Sequence, residues 1–247
     1  MLKPIVFSVF VLAALTGCYK RDETHLNQKC TKGCAVFNFS VMTGGNLNAP
    51  VPGAYVDLVW EGPKQEIGGG PSIDVANGYA DAQGRISFSF KPIGDEFTSG
   101  DFTVTAKSTA DYIKTLQYFE NVRRADTVLN ATLALPSIAH LKLIYKNFDP
   151  KNQNDAFSAN PNYRLPYVWQ GLMLTSSDPT NYPNDFFDIY QKPFDSLTYV
   201  GNTAGNAYTY FQVVIKRNGL QIFHLDSLYI AKGDTGTYTL DYQRSFQ

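Results

Sequence analysis

The side chains of this 247-residue chain that could do chemistry are three cysteines, three histidines, 22 carboxylates and an unusual density of aromatic rings. A catalytic centre would join a nucleophile, a base and an orienting group, or gather metal ligands. His140 and His224 are the only histidines inside the folded part, and neither accompanies a Gly-x-Ser-x-Gly, a His-Glu-x-x-His or a glycine-rich phosphate loop. His140 alternates with apolar neighbours and reads as solvent-facing. No catalytic residue, metal site or cofactor is therefore assigned, and Asp178, Asp185 and Asp188 lack the spacing of a calcium loop. Binding has the better case. Tyr163, Tyr167, Trp169, Tyr182, Phe186 and Tyr190 crowd together with Asn162, Asn181, Asn184 and Asp185. Apolar ring faces rimmed by amides and carboxylates suit the C–H faces and hydroxyls of a sugar, although the same rings could fill a core.

The cysteines speak about compartment. Lys3 is followed by an eleven-residue apolar run, Ile5 to Leu15, then Thr16-Gly17-Cys18. That is the layout of a secretory leader, and the run is too short to span a bilayer. Leu15-Thr16-Gly17-Cys18 resembles the lipobox of bacterial lipoproteins. The resemblance implies cleavage after residue 17, acylation of Cys18, and a mature chain tethered to the membrane by palmitate-type lipid. Tyr19-Lys20-Arg21-Asp22-Glu23 resembles the signal that carries Bacteroidota-type lipoproteins to the cell surface, and also fits a plain solvated linker. In an exported chain, Cys30 and Cys34, four apart around Gly33, favour a small local disulfide. Free thiols, or half of a metal site near His25, stand behind that reading.

With 21 basic and 22 acidic side chains the chain is nearly neutral, which argues against nucleic acid and leaves the lipid as the membrane anchor. Sixteen tyrosines and seventeen phenylalanines without a 3.6-residue apolar period predict an all-β protein. Residues 1–17 read as leader and 18–34 as a tether, and the first globular unit spans 35–135. In it, Phe37, Phe39 and Val41 alternate with Asn38 and Ser40; Val56, Leu58 and Trp60 follow a Pro-Gly turn; then come Ile86, Phe88 and Phe90, Phe102, Val104 and Ala106, and Leu129, Ala131 and Leu133.

The succession Val51-Pro52-Gly53-Ala54-Tyr55-Val56-Asp57-Leu58, Asp81-Ala82-Gln83-Gly84-Arg85-Ile86-Ser87-Phe88, and Phe102-Thr103-Val104-Thr105-Ala106 with Tyr112 resembles carboxypeptidase-regulatory-like domains and the related collagen-adhesin B-type repeats. These are transthyretin-like sandwiches serving as stalks, spacers or binding modules, and they carry no catalytic residues over to this chain. A Gly-rich insertion, 61–72, departs from the pattern. Some of the adhesin repeats hold a Lys–Asn isopeptide bond. Lys32 and Asn130 occupy the comparable places, but Asn130 alternates with Leu129 and Ala131 as an outward polar residue.

After Leu135-Pro136-Ser137 a second sandwich of immunoglobulin-like or transthyretin-like type is expected over 137–247. It opens with Ala139, Leu141, Leu143 and Tyr145, continues through a polar segment, 146–166, that receives no strand, and then a strand over 167–176. Asn218-Gly219 between two apolar runs signals a type I′ hairpin, and 237–242 a closing strand. No close internal repeat is visible between the halves. Thr127, Ser196 and Ser227, each after Asp and before an aliphatic residue, resemble O-glycosylation sites of Bacteroidota-type exported proteins. Together these readings predict an outer-membrane, surface-exposed lipoprotein acting as a non-catalytic accessory or binding module. Its expected partners are a glycan and an outer-membrane protein. The rival expectation is a structural subunit or anchor of a fimbria-like or adhesin-like assembly.

Overall fold

The computed structural model describes residues 27, 30–63, 70–92, 99–120, 122, 127–166, 168–171, 174–176 and 192–243, the backbone alone for 168–171 and 174–176. The fold is all-β: two tandem β-sandwiches, with sixteen strands among the described residues. The strands of the first are β1 (Ala35–Thr43), β2 (Ala49–Pro50), β3 (Tyr55–Glu61), β4 (Ser72–Tyr79), β5 (Arg85–Phe90), β6 (Asp101–Lys107), β7 (Thr115–Phe119) and β8 (Val128–Ala134). The second comprises β9 (Ile138–Phe148), β10 (Ala156–Leu165), β11 (Val168–Gly171), β12 (Leu174–Ser176), β13 (Phe194–Ala204), β14 (Ala207–Arg217), β15 (Leu220–Ile230) and β16 (Thr235–Asp241).

In the first sandwich β1 pairs antiparallel with β2 and β5 and parallel with β8, facing a sheet of order β4-β3-β6-β7. The alternation Phe37, Phe39, Val41 puts three side chains at no more than 1% exposure into the space between the sheets. There Phe37 meets Phe90 and Phe102 edge-on at 5.3 and 5.0 Å. The 61–72 insertion links β3 to β4, whose register slips between Leu58 and Val59. Gly84 must be glycine: its φ is +72°, and a Cβ would lie 2.6 Å from the Val41 carbonyl oxygen.

The second sandwich sets β12-β13-β9-β16 against β11-β10-β14-β15. Its core gathers Leu141, Leu143, Tyr145, Phe148, Phe157, Phe211 and Val213, with Tyr238 stacked on Phe211 at 3.8 Å. Two expectations change here. The polar segment contains a central strand, β10, because Phe157, Ala159, Tyr163 and Leu165 turn inward while Ser158, Asn160 and Arg164 alternate with them. The single strand expected over 167–176 is two strands in opposite sheets, β11 on β10 and β12 on β13, the apolar alternation being lost at Gly171-Leu172-Met173-Leu174.

Both sandwiches share one wiring, which the residues did not reveal. The opening strand, β1 or β9, lies between an antiparallel partner, β5 or β13, and the parallel closing strand, β8 or β16. The facing sheets, β4-β3-β6-β7 and β11-β10-β14-β15, correspond strand for strand.

The sandwiches meet through backbone. The Gly45 N–H donates to the Asn206 carbonyl at 2.8 Å, the Ile138 N–H to the Asp111 carbonyl at 2.8 Å, and the Ser137 N–H to Thr43 Oγ1 at 3.1 Å. Leu47 and Ile113 of the first unit pack on the second core, and Lys232 Nζ sits 4.8 Å over the Tyr112 ring. A Cβ at Gly45 would lie 3.0 Å from the Asn206 carbonyl oxygen, so the joint is tight against any side chain there.

Candidate functional site

Cys18, Tyr167, Tyr182, Phe186 and Tyr190 lie outside the described residues, as does the side chain of Trp169, whose backbone pairs with Arg164 in β11. Tyr163 corrects the sequence reading. Its inward position on β10 leaves it 1% exposed, and burial pushes its phenol up to about 12, so it is a core ring and not a ligand platform. Cys30 and Cys34 are joined in a disulfide with Cα atoms 5.7 Å apart, fixing the chain just before β1. Asn27, placed in the tether, is held against β4: its N–H donates to the Val75 carbonyl at 3.2 Å, and its side chain exchanges bonds with Asn77.

Ser196 and Ser227 lie exposed on β13 and β15, and Thr127 is half-buried before β8. Asn130 faces outward and accepts from the Asn38 amide at 2.9 Å, as its alternation predicts, and Lys32 is exposed. The histidines are in different sheets: His140 on β9 pairs with Asn202 at 3.0 Å, and His224 is on β15. Among the described residues no three His, Cys, Asp or Glu cluster as metal ligands.

The best-formed recognition surface is one that the sequence reading missed. On β14 the inward residues Ala207, Thr209 and Phe211 alternate with the outward Tyr208, Gln212 and Tyr210. Pairing of Tyr208 with Tyr229 on β15 adds a third ring, so Tyr208, Tyr210 and Tyr229, 51%, 41% and 52% exposed, form one cluster. Tyr208 lies 5.4 Å from Tyr229 and 6.3 Å from Tyr210, centre to centre. Across from them the β1–β2 loop of the first sandwich brings Asn46 and Asn48, and β10 brings Arg164, to close a cleft of about 450 Å³. Arg164 and Tyr210 are shared with a second groove of about 590 Å³ that runs on past Asn162, Gln212 and Leu225.

The cleft is a product of the joint. Gly44, at φ +85°, turns the loop, and the bond from Gly45 to Asn206 holds Asn46 and Asn48 beside the tyrosines. Flat apolar rings, a guanidinium and carboxamides that both donate and accept can bind a polyhydroxylated ring on its face and its rim. Nothing in this set is a nucleophile paired with a base.

A second polar cluster occupies the outer face of β3, β4 and β6. Burial, and then the neighbouring Asp74, raise the Asp57 carboxyl, against the lowering influence of Lys107 and Lys114. Tyr55 stacks on Tyr79 at 5.3 Å, and Lys107 Nζ lies 4.7 Å over the Tyr55 ring.

No protein-family model matches this chain, and no curated protein matches it. Among solved structures it is similar to a 3-chlorocatechol 1,2-dioxygenase from Rhodococcus opacus 1CP, at 12% identity and a TM-score of 0.29, covering 46% of this chain and 64% of that one. The major pilin subunit of Bacillus cereus matches at 9% identity and 0.26, over 80% of this chain and 69% of the pilin. A shaft pilin from Lactobacillus rhamnosus GG matches at 9% identity and 0.27, over 87% of this chain and 99% of that one. This chain thus spans less than two thirds of the dioxygenase, and these distant likenesses assign neither a family nor an activity.

Proposed function

We propose that this chain is an exported, lipid-anchored and non-catalytic binding protein whose ligand is a glycan, taken in the cleft between its two sandwiches. The observation that carries the reading is the exposed cluster of Tyr208, Tyr210 and Tyr229 facing Arg164, Asn46 and Asn48. Three large rings left in water on one sheet face cost burial energy that an ordinary surface would recover with polar residues. A sugar stacked on them restores it. The Leu15-Thr16-Gly17-Cys18 leader supports attachment at the outer membrane, with the cell surface as the place where a glycan is met. The first sandwich then does more than space the second from the membrane, because its loop supplies one wall of the site.

The test is calorimetry of the purified chain against neutral and acidic oligosaccharides. Saturable binding is expected, weakened roughly tenfold in Tyr208→Ala or Tyr229→Ala, about 1.4 kcal/mol for each ring lost. Absence of saturable binding across the panel, or binding indifferent to both substitutions, would overturn the reading. Subunit of a surface assembly is the second reading, and the open outer edge of β15 favours it.

A further inference from the structure

We propose that two copies of this chain pair through the edge of β15 that no strand among the described residues covers, antiparallel, about a two-fold axis at Leu225. The proposal stands apart from the choice of ligand.

An unpaired strand edge invites another strand, and proteins guard against this with short or bulged edges, lysine, proline or a covering segment. Several other edges of this fold are guarded, and β5, β8 and β16 are shorter, with six, seven and seven residues. β4 has a register break and carries Asn27 along it. β2 is two residues ending in Pro50, and β11 and β12 have four and three residues. β7, which holds the place of β15 in the first sandwich, has five residues, and its Gln117 reaches the β8 backbone, accepting from the Ala134 N–H at 2.9 Å. β15 is the longest edge strand among the described residues. Its eleven residues contain no proline, glycine, lysine or arginine, and it runs beside β14 without a break in register.

The hydrogen-bonding phase fixes which backbone groups are offered. The two-residue turn at Asn218 and Gly219 makes Arg217 and Leu220 a hydrogen-bonded pair, so the even-numbered residues of β15 bond to β14. Gln221, Phe223, Leu225, Ser227 and Tyr229 then aim their N–H and C=O groups at the open side. One of these groups already has a substitute partner: the Ser227 N–H donates to the Asp226 carboxylate at 2.7 Å.

The side chains select the register. With the axis at Leu225, His224 faces Asp226 of the second copy, Ile222 faces Leu228, and Leu220 faces Ile230. All three lie at non-hydrogen-bonded positions, where side chains approach most closely. Moving the axis to Asp226 sets two carboxylates face to face, and moving it to His224 sets two imidazoles together. An axis at Phe223 or Ser227 leaves Asp226 against Leu220 or Leu228. Only Leu225 sets each imidazole opposite a carboxylate, one that also accepts from the Tyr238 hydroxyl of its own chain at 2.7 Å, and each aliphatic opposite an aliphatic. Leu225, 63% exposed, would then lie beside its counterpart, and Phe223, 57% exposed, diagonal to Leu225 of the second copy, on one continuous outer face. The two four-stranded sheets become a single eight-stranded sheet.

The test uses the full-length chain in detergent. Leu225 meets itself across a hydrogen-bonded pair with Cα atoms about 5.5 Å apart, within disulfide reach. Leu225→Cys should therefore cross-link to a dimer under mild oxidation. Phe223→Cys and Ser227→Cys should each fail alone and cross-link when mixed. Sedimentation should show a concentration-dependent dimer whose dissociation constant rises at least tenfold in Leu225→Lys, with the circular dichroism unchanged. A wild-type chain that stays monomeric would overturn the proposal. So would a dimer indifferent to Leu225→Lys, or Phe223→Cys cross-linking as readily alone as Leu225→Cys.

Discussion

Two carboxylates of this chain should move its acid stability in opposite directions. Asp155 accepts from the Lys151 N–H at 2.8 Å and from the Asn218 N–H at 3.0 Å, tying the turn before β10 to the β14–β15 hairpin. These backbone donors, the Lys151 bond first, hold its carboxyl below the ordinary 3.8. Its contribution is complete above that value and is lost as the pH falls below it toward the folded-state value. Asp155→Asn should lower the melting temperature at neutral pH and flatten the acid arm of the stability curve below about pH 4. Asp57 is the reverse case. Burial, then Asp74, raise it, so its charged form weighs against the fold at neutral pH. Asp57→Asn should raise the melting temperature at pH 7, and the gain should vanish in acid, where the native carboxyl is also neutral. Neither residue stood out in the sequence. What identifies Asp155 is the convergence of two distant turns on one carboxylate, and spacing along the chain does not encode that.

Strands were legible where one face is apolar and the other polar. Phe37, Phe39 and Val41 between Asn38 and Ser40 left one phase open, and the structure buries those three. In β14 and β15 the hairpin was legible but the buried face was not, because both faces carry apolar side chains: Tyr208 and Tyr210 outside, Ala207 and Phe211 inside. The tyrosine cluster was hidden for that reason, and the aromatic-rich stretch around Trp169 drew the attention instead. Tyr163 lay in that stretch and proved to be core. The Asn218-Gly219 signal was explicit, and the pair holds φ of 51° and 78°. Gly219→Val should cost about 1–2 kcal/mol, the penalty of a left-handed backbone for a residue with a Cβ, read by chemical denaturation. Gly84→Val should cost more, because its Cβ would also collide with the Val41 carbonyl.

At the scale of the molecule, the glycine-lined joint decides whether the sandwiches act as one body. Gly45→Val would press a side chain against the Asn206 carbonyl oxygen, 3.0 Å from where its Cβ would lie, so it should separate the units. Calorimetry should then show two unfolding transitions, and the oligosaccharide binding proposed above should be lost although every ring of the tyrosine cluster remains. Two sandwiches were foreseeable from strand count and length, but their common wiring was not, since it resides in strand order and the residues of the halves do not match. That wiring also governs how the protein comes into being. Each sandwich is completed by its closing strand lying parallel to its opening one, Val128 beside Val36 and Thr235 beside His140. Neither core can be sealed until nearly the whole of its unit has emerged and a long loop has closed, a topology that folds in roughly milliseconds to seconds where local contacts fold in microseconds. As the chain emerges, the first sandwich can close behind β8 while the second is still incomplete, and until β16 arrives β9 waits with one side open.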